Sequence, residues 1–351
     1  MIPLIKPLFP PVEILNEYLE TPYENGTWSN FGQLYFFAVQ KLAALTGRFP
    51  VLVNSATSAI DLALSIVDGI DGSMIAVPDL THAGSVVPII NCSSRPLIVA
   101  CDPMTMAMDR DCFEDLCANG EIEAAVIVNP FGYGIDRKFY ADTATKYGVS
   151  LVFDYAGAWG DFDFEDNFPT VYSFHATKSM PIGEGGMILF ATEQEALRAR
   201  KRSNFSTGAD RMIDDVYGQN FKISELSAAM LCAQLDDRQY PAVLERIQHR
   251  RNLIGFYARN LSIPMGHVVS PSLCVFQIPQ IRPAEFEARA ASFGFVAKHY
   301  YIPLRSMPAY LDCEIEGRFC PELDRCIALP SDCTIEEAQH IVDCVLRFLP
   351  G

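Results

Sequence analysis

Ser173-Phe174-His175-Ala176-Thr177-Lys178-Ser179-Met180-Pro181-Ile182-Gly183-Glu184-Gly185-Gly186 separates two apolar runs, Thr170 to His175 and Met187 to Phe190. The break is polar, rich in glycine, and carries one lysine. Two apolar runs joined in this way read as buried strands whose connection faces a cavity. The lysine is then either a surface turn residue or an amine held in a partly dry pocket. Desolvation disfavours the ammonium form and lowers the pKa until a neutral amine can attack a carbonyl. The neighbouring segments decide between these readings.

Upstream, Glu121 to Val128 reads as a buried strand that ends in Asn129-Pro130-Phe131-Gly132-Tyr133-Gly134. A helix over Arg137 to Tyr147 leads to the strand Ser150 to Phe153 and then to Asp154. Strand, helix and strand in succession predict a parallel sheet with right-handed crossovers. An aspartate directly after four apolar strand residues is costly to bury unless a cation faces it; its plain alternative is a helix cap. Earlier still, the strand Val51-Leu52-Val53 precedes Asn54-Ser55-Ala56-Thr57-Ser58-Ala59. Small hydroxyl residues before an apolar-periodic run mark a helix start, which is an anion site or an ordinary N-cap. The strand Met74 to Pro78 is followed by Asp79-Leu80-Thr81-His82-Ala83-Gly84, a helix-like run from Ser85 to Ile90 and the strand Pro96 to Ala100. His82 therefore lies just past a strand's C-terminal end, where open parallel sheets bind ligands, although a structural histidine fits equally.

Val12 to Leu19 and Tyr35 to Leu45 predict helices, and Trp28 sits between them on a turn-rich loop. That tryptophan either folds onto the core or covers a ligand. Beyond Lys178 come a helix over Glu193 to Lys201, a second that opens at Gln219 to Leu226, and a long charged one over Pro241 to Asn260. Short strands then follow (Leu273 to Ile278, Val296 to Tyr301, Ile327 to Pro330), and a last helix, Ile335 to Leu349, starts behind Thr334. This change of pattern predicts a large domain over 1–240 and a small C-terminal one over 241–351.

Composition narrows the class. Of 351 residues, 50% are apolar and 20% charged, which suits a globular α/β enzyme and excludes a disordered chain. The formal charge of −16 argues against nucleic acid as a partner, without excluding a local basic pocket for a small anion. No apolar run is long enough for a bilayer and no cleavable signal is read, so a cytoplasmic protein with reduced cysteines is expected. Cys313, Cys320, Cys326 and Cys333 cluster, but they form no Cys-x-x-Cys pair, and His340 forms no His-x₃-His pair. No metal site is expected from that spacing.

Taken together, these segments resemble the DegT/DnrJ/EryC1/StrS family, pyridoxal-phosphate-dependent sugar aminotransferases of the aspartate aminotransferase fold (fold type I). Asn54 to Ala59 is similar to the family's Asn-Ser-Gly/Cys-Thr-Ala-Ala, and Pro78 to His82 to its Pro-x-x-Thr-aromatic turn. Asp154-Tyr155-Ala156-Gly157-Ala158 resembles Asp-Ala-Ala-Gln/His-Ala, and Ser173 to Gly186 resembles Ser-Phe-x-x-Thr-Lys followed by Gly-Glu-Gly-Gly. Gln219 to Leu226 resembles an Asn-aromatic-basic-apolar-x-Glu segment. The likeness runs through nearly the whole chain, which lies at the short end for the family. It implies a large domain with a mostly parallel seven-stranded sheet flanked by helices, plus a small C-terminal α+β domain.

The resemblance also implies roles. Lys178 would form the Schiff base with pyridoxal 5'-phosphate and then act as acid and base in the proton shift. Asp154 would face the pyridinium nitrogen, which supplies the cation this aspartate needs. His82 would stack on the ring, and Ala56, Thr57 and Ser173 would hold the phosphate. Asn220 would reach the cofactor of a neighbouring subunit, with Lys222 adding charge, so a homodimer with shared active sites is implied. Two departures stand out. Gly157 occupies the place of a glutamine or histidine beside the phenolic oxygen, leaving water or Trp159 as replacement donors. Arg305 follows Pro303-Leu304 where relatives carry histidine, and would meet a substrate carboxylate or phosphate, or point to solvent. Trp28 joins Lys222 and Arg305 as a candidate substrate contact. The implied reaction moves an amino group from an amino acid, L-glutamate by family habit, through the pyridoxamine 5'-phosphate form. The acceptor would be a keto group at C3 or C4 of a nucleotide-linked deoxysugar, for surface polysaccharide or glycosylated metabolite biosynthesis. The alternatives are a sugar dehydratase on the same scaffold, in which histidine replaces the lysine, and a cofactor-binding regulator, for which Gly157 is the only hint.

Overall fold

A computed structural model describes residues 1–208, 212–213, 215, 218–263 and 268–349. In chain order its strands are β1 (Phe49–Val53), β2 (Met74–Pro78), β3 (Arg95–Val99), β4 (Ala124–Val128), β5 (Ser150–Asp154), β6 (Thr170–Ser173) and β7 (Gly186–Phe190). Around them lie helices α1 (Val12–Asn25), α2 (Gln33–Thr46), α3 (Ala56–Ser65), α4 (Val87–Asn91), α5 (Arg110–Asn119), α6 (Arg137–Tyr147), α7 (Glu193–Arg202) and α8 (Glu225–Gln234). The rest of the chain forms α9 (Tyr240–Leu261), β8 (Cys274–Gln277), α10 (Pro283–Ser292), β9 (Lys298–His299), β10 (Glu314–Glu316), β11 (Cys326–Leu329) and α11 (Ile335–Phe348).

The large sheet has the order β1-β7-β6-β5-β4-β2-β3-β10, and β7 alone runs antiparallel to its neighbours. Strands β4 and β7 are buried on both faces, so they read as continuous apolar runs rather than alternating ones. Successive residues feed two cores. Leu52, Ala125, Ile127, Phe153 and Leu189 pack against one layer of helices, whereas Val51, Val53, Val126, Val152 and Ile188 pack against α3 and α4. A third core surrounds the small sheet, β8-β11-β9, together with α9, α10 and α11.

The mostly parallel sheet with flanking helices and a small second sheet agrees with the expected fold class. It has one strand more than expected. β10 leaves the C-terminal part of the chain and pairs in parallel with β3, Ile315 opposite Ile98. The expected strand Val296 to Tyr301 is also cut to two residues, because only Lys298 and His299 pair with β11. Val296 instead donates its N–H to Ile2 at 2.9 Å, and Tyr300 and Tyr301 turn towards a cavity. The Ser85 to Ile90 run is split into a 3₁₀ turn, Ala83–Ser85, and the short α4.

Two buried polar groups fix the framework of that cavity. Gly32, at the N-cap of α2, has no side chain to offer the first helical N–H groups. Glu225 caps them from α8 by accepting from Leu34 at 2.8 Å and Tyr35 at 3.2 Å, while its own N–H donates to Trp28 O. Glu225→Ala strands two buried donors and is expected to cost about 3 kcal/mol, seen as a lower urea midpoint of the unfolding transition; an unchanged midpoint would refute the capping role. On the other side, Asp332 receives bidentate bonds from both Arg246 and Arg250, at 2.8 to 2.9 Å. Burial pushes the Asp332 carboxyl up, but these two guanidinium groups hold it well below the usual carboxylate range. Arg246 also donates to the carbonyl of Lys178 at 3.2 Å, so this cluster ties α9 to the lysine turn.

Candidate active site

A cavity of about 410 Å³ opens at the C-terminal ends of β2, β4, β5 and β6, where a parallel sheet leaves room for a ligand. The start of α3 forms one wall. Ser55 caps this helix by accepting from Ser58 N at 3.1 Å, and Asn54 accepts from the Ser58 hydroxyl at 2.7 Å. The Ala56 and Thr57 N–H groups then lie at the positive end of the helix dipole. Gly186, at the start of β7, presses its backbone onto this turn. A Cβ there would fall 2.4 Å from the Ser55 carbonyl and 2.6 Å from Ala56 N, so only glycine permits the approach. Ser173, at the end of β6, lines the same wall.

Asp154 occupies the floor, 5% exposed. Its Oδ2 accepts from the Ser85 hydroxyl at 2.7 Å and its Oδ1 from Ala156 N at 3.0 Å. Ser85 is in turn 2.8 Å from the Thr81 hydroxyl. The carboxylate is thus held from two sides in one orientation. Lys178 lines the cavity as well, and its pKa is lowered, first by burial and further by the positive charge of Arg250, while Asp154 opposes the shift. His82 opens onto the cavity with Nδ1 accepting from Gly84 N at 3.0 Å, which leaves any N–H at Nε2. Burial and the nearby Lys178 hold its pKa below the usual histidine range, so the ring is neutral and presents an aromatic face. Tyr301, which also lines the cavity, meets His82 edge-on at 6.0 Å and stacks on Phe131 at 5.3 Å. At the rim, His175 pairs with Thr177 at 2.9 Å and lies 3.5 Å from Glu184.

The structure therefore gathers Ala56, Thr57, His82, Asp154, Ser173 and Lys178 around one cavity and leaves four candidates outside it. Trp28 is half-exposed and packs edge-on against Tyr23 at 4.9 Å. Lys222 donates to Asn220 and to Asn204, each at 2.7 Å, on the segment that runs beside Val53. The Nε and backbone N–H of Arg305 engage the buried Asp79, which latches the 303–306 turn to the end of β2; its Nη2 has no partner among the described residues. Trp159 is not a replacement donor at the site, because its ring is packed among Phe162, Tyr172 and Phe174 in the core. Gly157 lines the cavity with its backbone. A Cβ on it would sit 3.0 Å from Phe131 C and 3.1 Å from Gly132 N, so a side chain there would need the 131–132 backbone to give by a few tenths of an ångström.

Sequence reasoning missed Ser85, Asn129 and Tyr301. Ser85 is three residues beyond His82 and was absorbed into a helix start. Among the described residues, no group of three or more histidine, cysteine or acidic side chains is placed to hold a metal, and no helix is long and apolar enough to cross a membrane.

The framework that carries this cavity is that of the fold type I transferases. Over 99% of its length the chain superposes on the sugar aminotransferase CalS13 of Micromonospora echinospora, covering 100% of that chain, with a TM-score of 0.83 and 22% identity. Over 97% it matches a DegT DnrJ EryC1 StrS aminotransferase of Brucella abortus, covering 96% of that chain, with a TM-score of 0.85 and 18% identity. Likenesses at this identity speak to the fold. The family itself is shown by its sequence profile, which matches residues 13–346: the chain belongs to the DegT/DnrJ/EryC1/StrS aminotransferase family. Among curated relatives, the dTDP-4-amino-4,6-dideoxy-D-glucose transaminase of Shigella dysenteriae is 26% identical, covering 97% of either chain. The GDP-perosamine synthase of Caulobacter vibrioides is 25% identical over 75% of this chain and 74% of its own.

Members of this family are pyridoxal-phosphate-dependent aminotransferases, and this chain is one of them. The residues present fit the cofactor. The cradle where Gly186 meets Ser55 and Ala56 suits a phosphate, the held carboxylate of Asp154 suits a protonated ring nitrogen, and the deprotonatable Lys178 suits an aldehyde.

Proposed function

We propose that this aminotransferase moves an amino group from an amino acid, L-glutamate, to a keto group at C3 or C4 of a nucleotide-linked deoxysugar. The observation that carries the reading is the convergence of Lys178, Asp154, His82 and the α3 start on a single cavity. The sugar acceptor is supported by the relatives named for dTDP-aminosugar and perosamine synthesis.

In this reading the N–H groups of Ala56 and Thr57, with the Ser173 hydroxyl, bind the phosphate of the cofactor. His82 packs on the ring face. Asp154, held by Ser85 and Ala156, keeps the ring nitrogen protonated. When bound, pyridoxal phosphate supplies an electron sink for the carbon that loses its proton. Lys178 takes that proton at Nζ and returns it elsewhere, a task that its lowered pKa favours by easing loss of the ammonium proton. Asn220 and Lys222 lie outside the cavity of their own chain, and the proposal assigns them to the site of a second copy in a cytoplasmic homodimer. The product would serve surface polysaccharide or glycosylated metabolite biosynthesis.

The test is amine transfer by the cofactor-loaded enzyme against a panel of 3-keto and 4-keto nucleotide sugars. Glutamate is expected to bleach the visible cofactor band and, with one class of acceptor, to yield 2-oxoglutarate and an aminosugar. A band that no amino acid moves would overturn the reading.

A further inference from the structure

Behind the lysine turn, outside the cavity, lies a buried cluster of charge. Arg246 and Arg250 stand one turn apart on α9, and Asp332 precedes α11; their side chains are 7%, 0% and 9% exposed. Each guanidinium gives Asp332 two bonds of 2.8 to 2.9 Å, and Lys6 N gives it another at 2.9 Å. Both arginines also reach the turn itself. Arg246 donates to the Lys178 carbonyl at 3.2 Å and to the Lys6 carbonyl at 2.7 Å. Arg250 donates to the Ser179 hydroxyl at 3.3 Å, and that hydroxyl donates to Pro271 O, beside Ser272 and Leu273 on the cavity wall.

The charges in this cluster do not balance. Two guanidinium groups face one carboxylate, so one positive charge is left over away from solvent. A single arginine paired with Asp332 would join the same segments with less charge to desolvate, which makes the surplus costly unless it serves a purpose. Its neighbour across the turn is the amine of Lys178. The titratable groups that face this amine come from several elements. Asp154 on β5 favours the ammonium form, and Arg250 on α9 opposes it. His82 beyond β2 is neutral, and burial pushes the Tyr301 hydroxyl up, so it is neutral as well, with Tyr300 beside it. His175 and Glu184, on the lysine turn, face each other at the rim. With Asp154 turned to the ring nitrogen, the surplus charge on α9 acts at the lysine end.

We propose that Arg246, Arg250 and Asp332 are positioning residues for Lys178: they fix its turn, and their surplus positive charge disfavours a proton on its nitrogen. None of the three lines the cavity, so they act through the lysine and not on the substrate. The role given to Lys178 rests on the functional reading above.

The experiment is a charge cycle read by absorbance. The visible band of the lysine-linked cofactor is titrated with pH in the loaded full-length protein, with urea midpoints taken alongside. Arg250→Gln removes the surplus charge and is expected to raise the midpoint of the band titration by about one pH unit. Asp332→Asn adds to the surplus and is expected to lower it by about as much. The double variant restores the wild-type charge and should return the midpoint to the wild-type value, although it is less stable than wild type. Band midpoints that stay put in both single variants, or move the same way in both, would leave the cluster a structural clamp and overturn the proposal. Should Asp332→Asn fail to fold, Arg250→Lys decides the matter. It retains the charge and should keep the wild-type midpoint, and a shift equal to that of Arg250→Gln would refute the assignment. Wild type without a lysine-linked band would sink the functional reading instead. The same cycle is then read from the pH dependence of Lys178 acetylation by acetic anhydride, followed by peptide mass spectrometry, with the same outcomes for and against.

Discussion

Lys178→Ala is expected to lose the visible band of the lysine-linked cofactor and to lower kcat by about 10⁴-fold or more, since one side chain holds the cofactor and moves the proton. The two losses are separable. An added small amine replaces the proton carrier and should recover part of the turnover, whereas the lysine-linked band stays absent. A variant that retained the band would place the linkage elsewhere. The same residue predicts a stability effect in the cofactor-free protein. Burial lowers the Lys178 pKa, so in the window between its folded value and the ordinary lysine value the unfolded chain binds more protons than the folded one. Stability therefore rises with pH through that window, and below it the full cost of burying the charge is present. Lys178→Met should accordingly be more stable than wild type at neutral pH, by a margin that shrinks as the pH climbs into the lysine range. Denaturant midpoints measured across that range decide the matter, and a margin independent of pH would contradict it.

Asp154→Ala carries the second large effect. Its carboxylate is almost fully buried, pinned by Ser85 and Ala156, and is the group placed to keep the ring nitrogen protonated. Loss of one aimed charge in a dry site is worth about 10³-fold in kcat. The signature lies in the rescue. A cofactor methylated at the ring nitrogen is cationic without help, and it should restore a good part of the activity of Asp154→Ala while giving wild type nothing. If the methylated cofactor helped neither protein, Asp154 would be acting through structure alone.

These two residues were also the most legible in the sequence, for a physical reason. Asp154 closes the short apolar strand β5 and Lys178 lies five residues past the end of β6, and a polar group so close to a sheet end has little local alternative. His82 and the Ser55–Thr57 turn share that advantage, being defined by the strand before them or the helix behind. The residues that escaped notice are those whose role depends on a distant partner. Ser85 matters because it meets Asp154, 69 positions away, and the contact of Arg305 with Asp79, 226 positions away, has no local signature either. Asn129 follows the Glu121 to Val128 run with nothing local to single it out, and only the folded structure places it on the cavity. Gly157, read as a missing donor, also packs tightly against the 131–132 backbone, which no local pattern reports.

β10 escaped for a related reason: Glu314-Ile315-Glu316 is short, exposed and without periodicity, so only its pairing with β3 makes it a strand. Its position has a bearing on the life of the chain before the site exists. While the polypeptide emerges from the ribosome, β3 presents an open edge from the moment it forms until residue 316, more than 200 positions later, has been made. Unfilled strand edges invite pairing with other chains. Nascent forms of this enzyme, and forms truncated before residue 314, are therefore the ones most exposed to aggregation, because the edge of the principal sheet closes only when a segment far along the chain arrives.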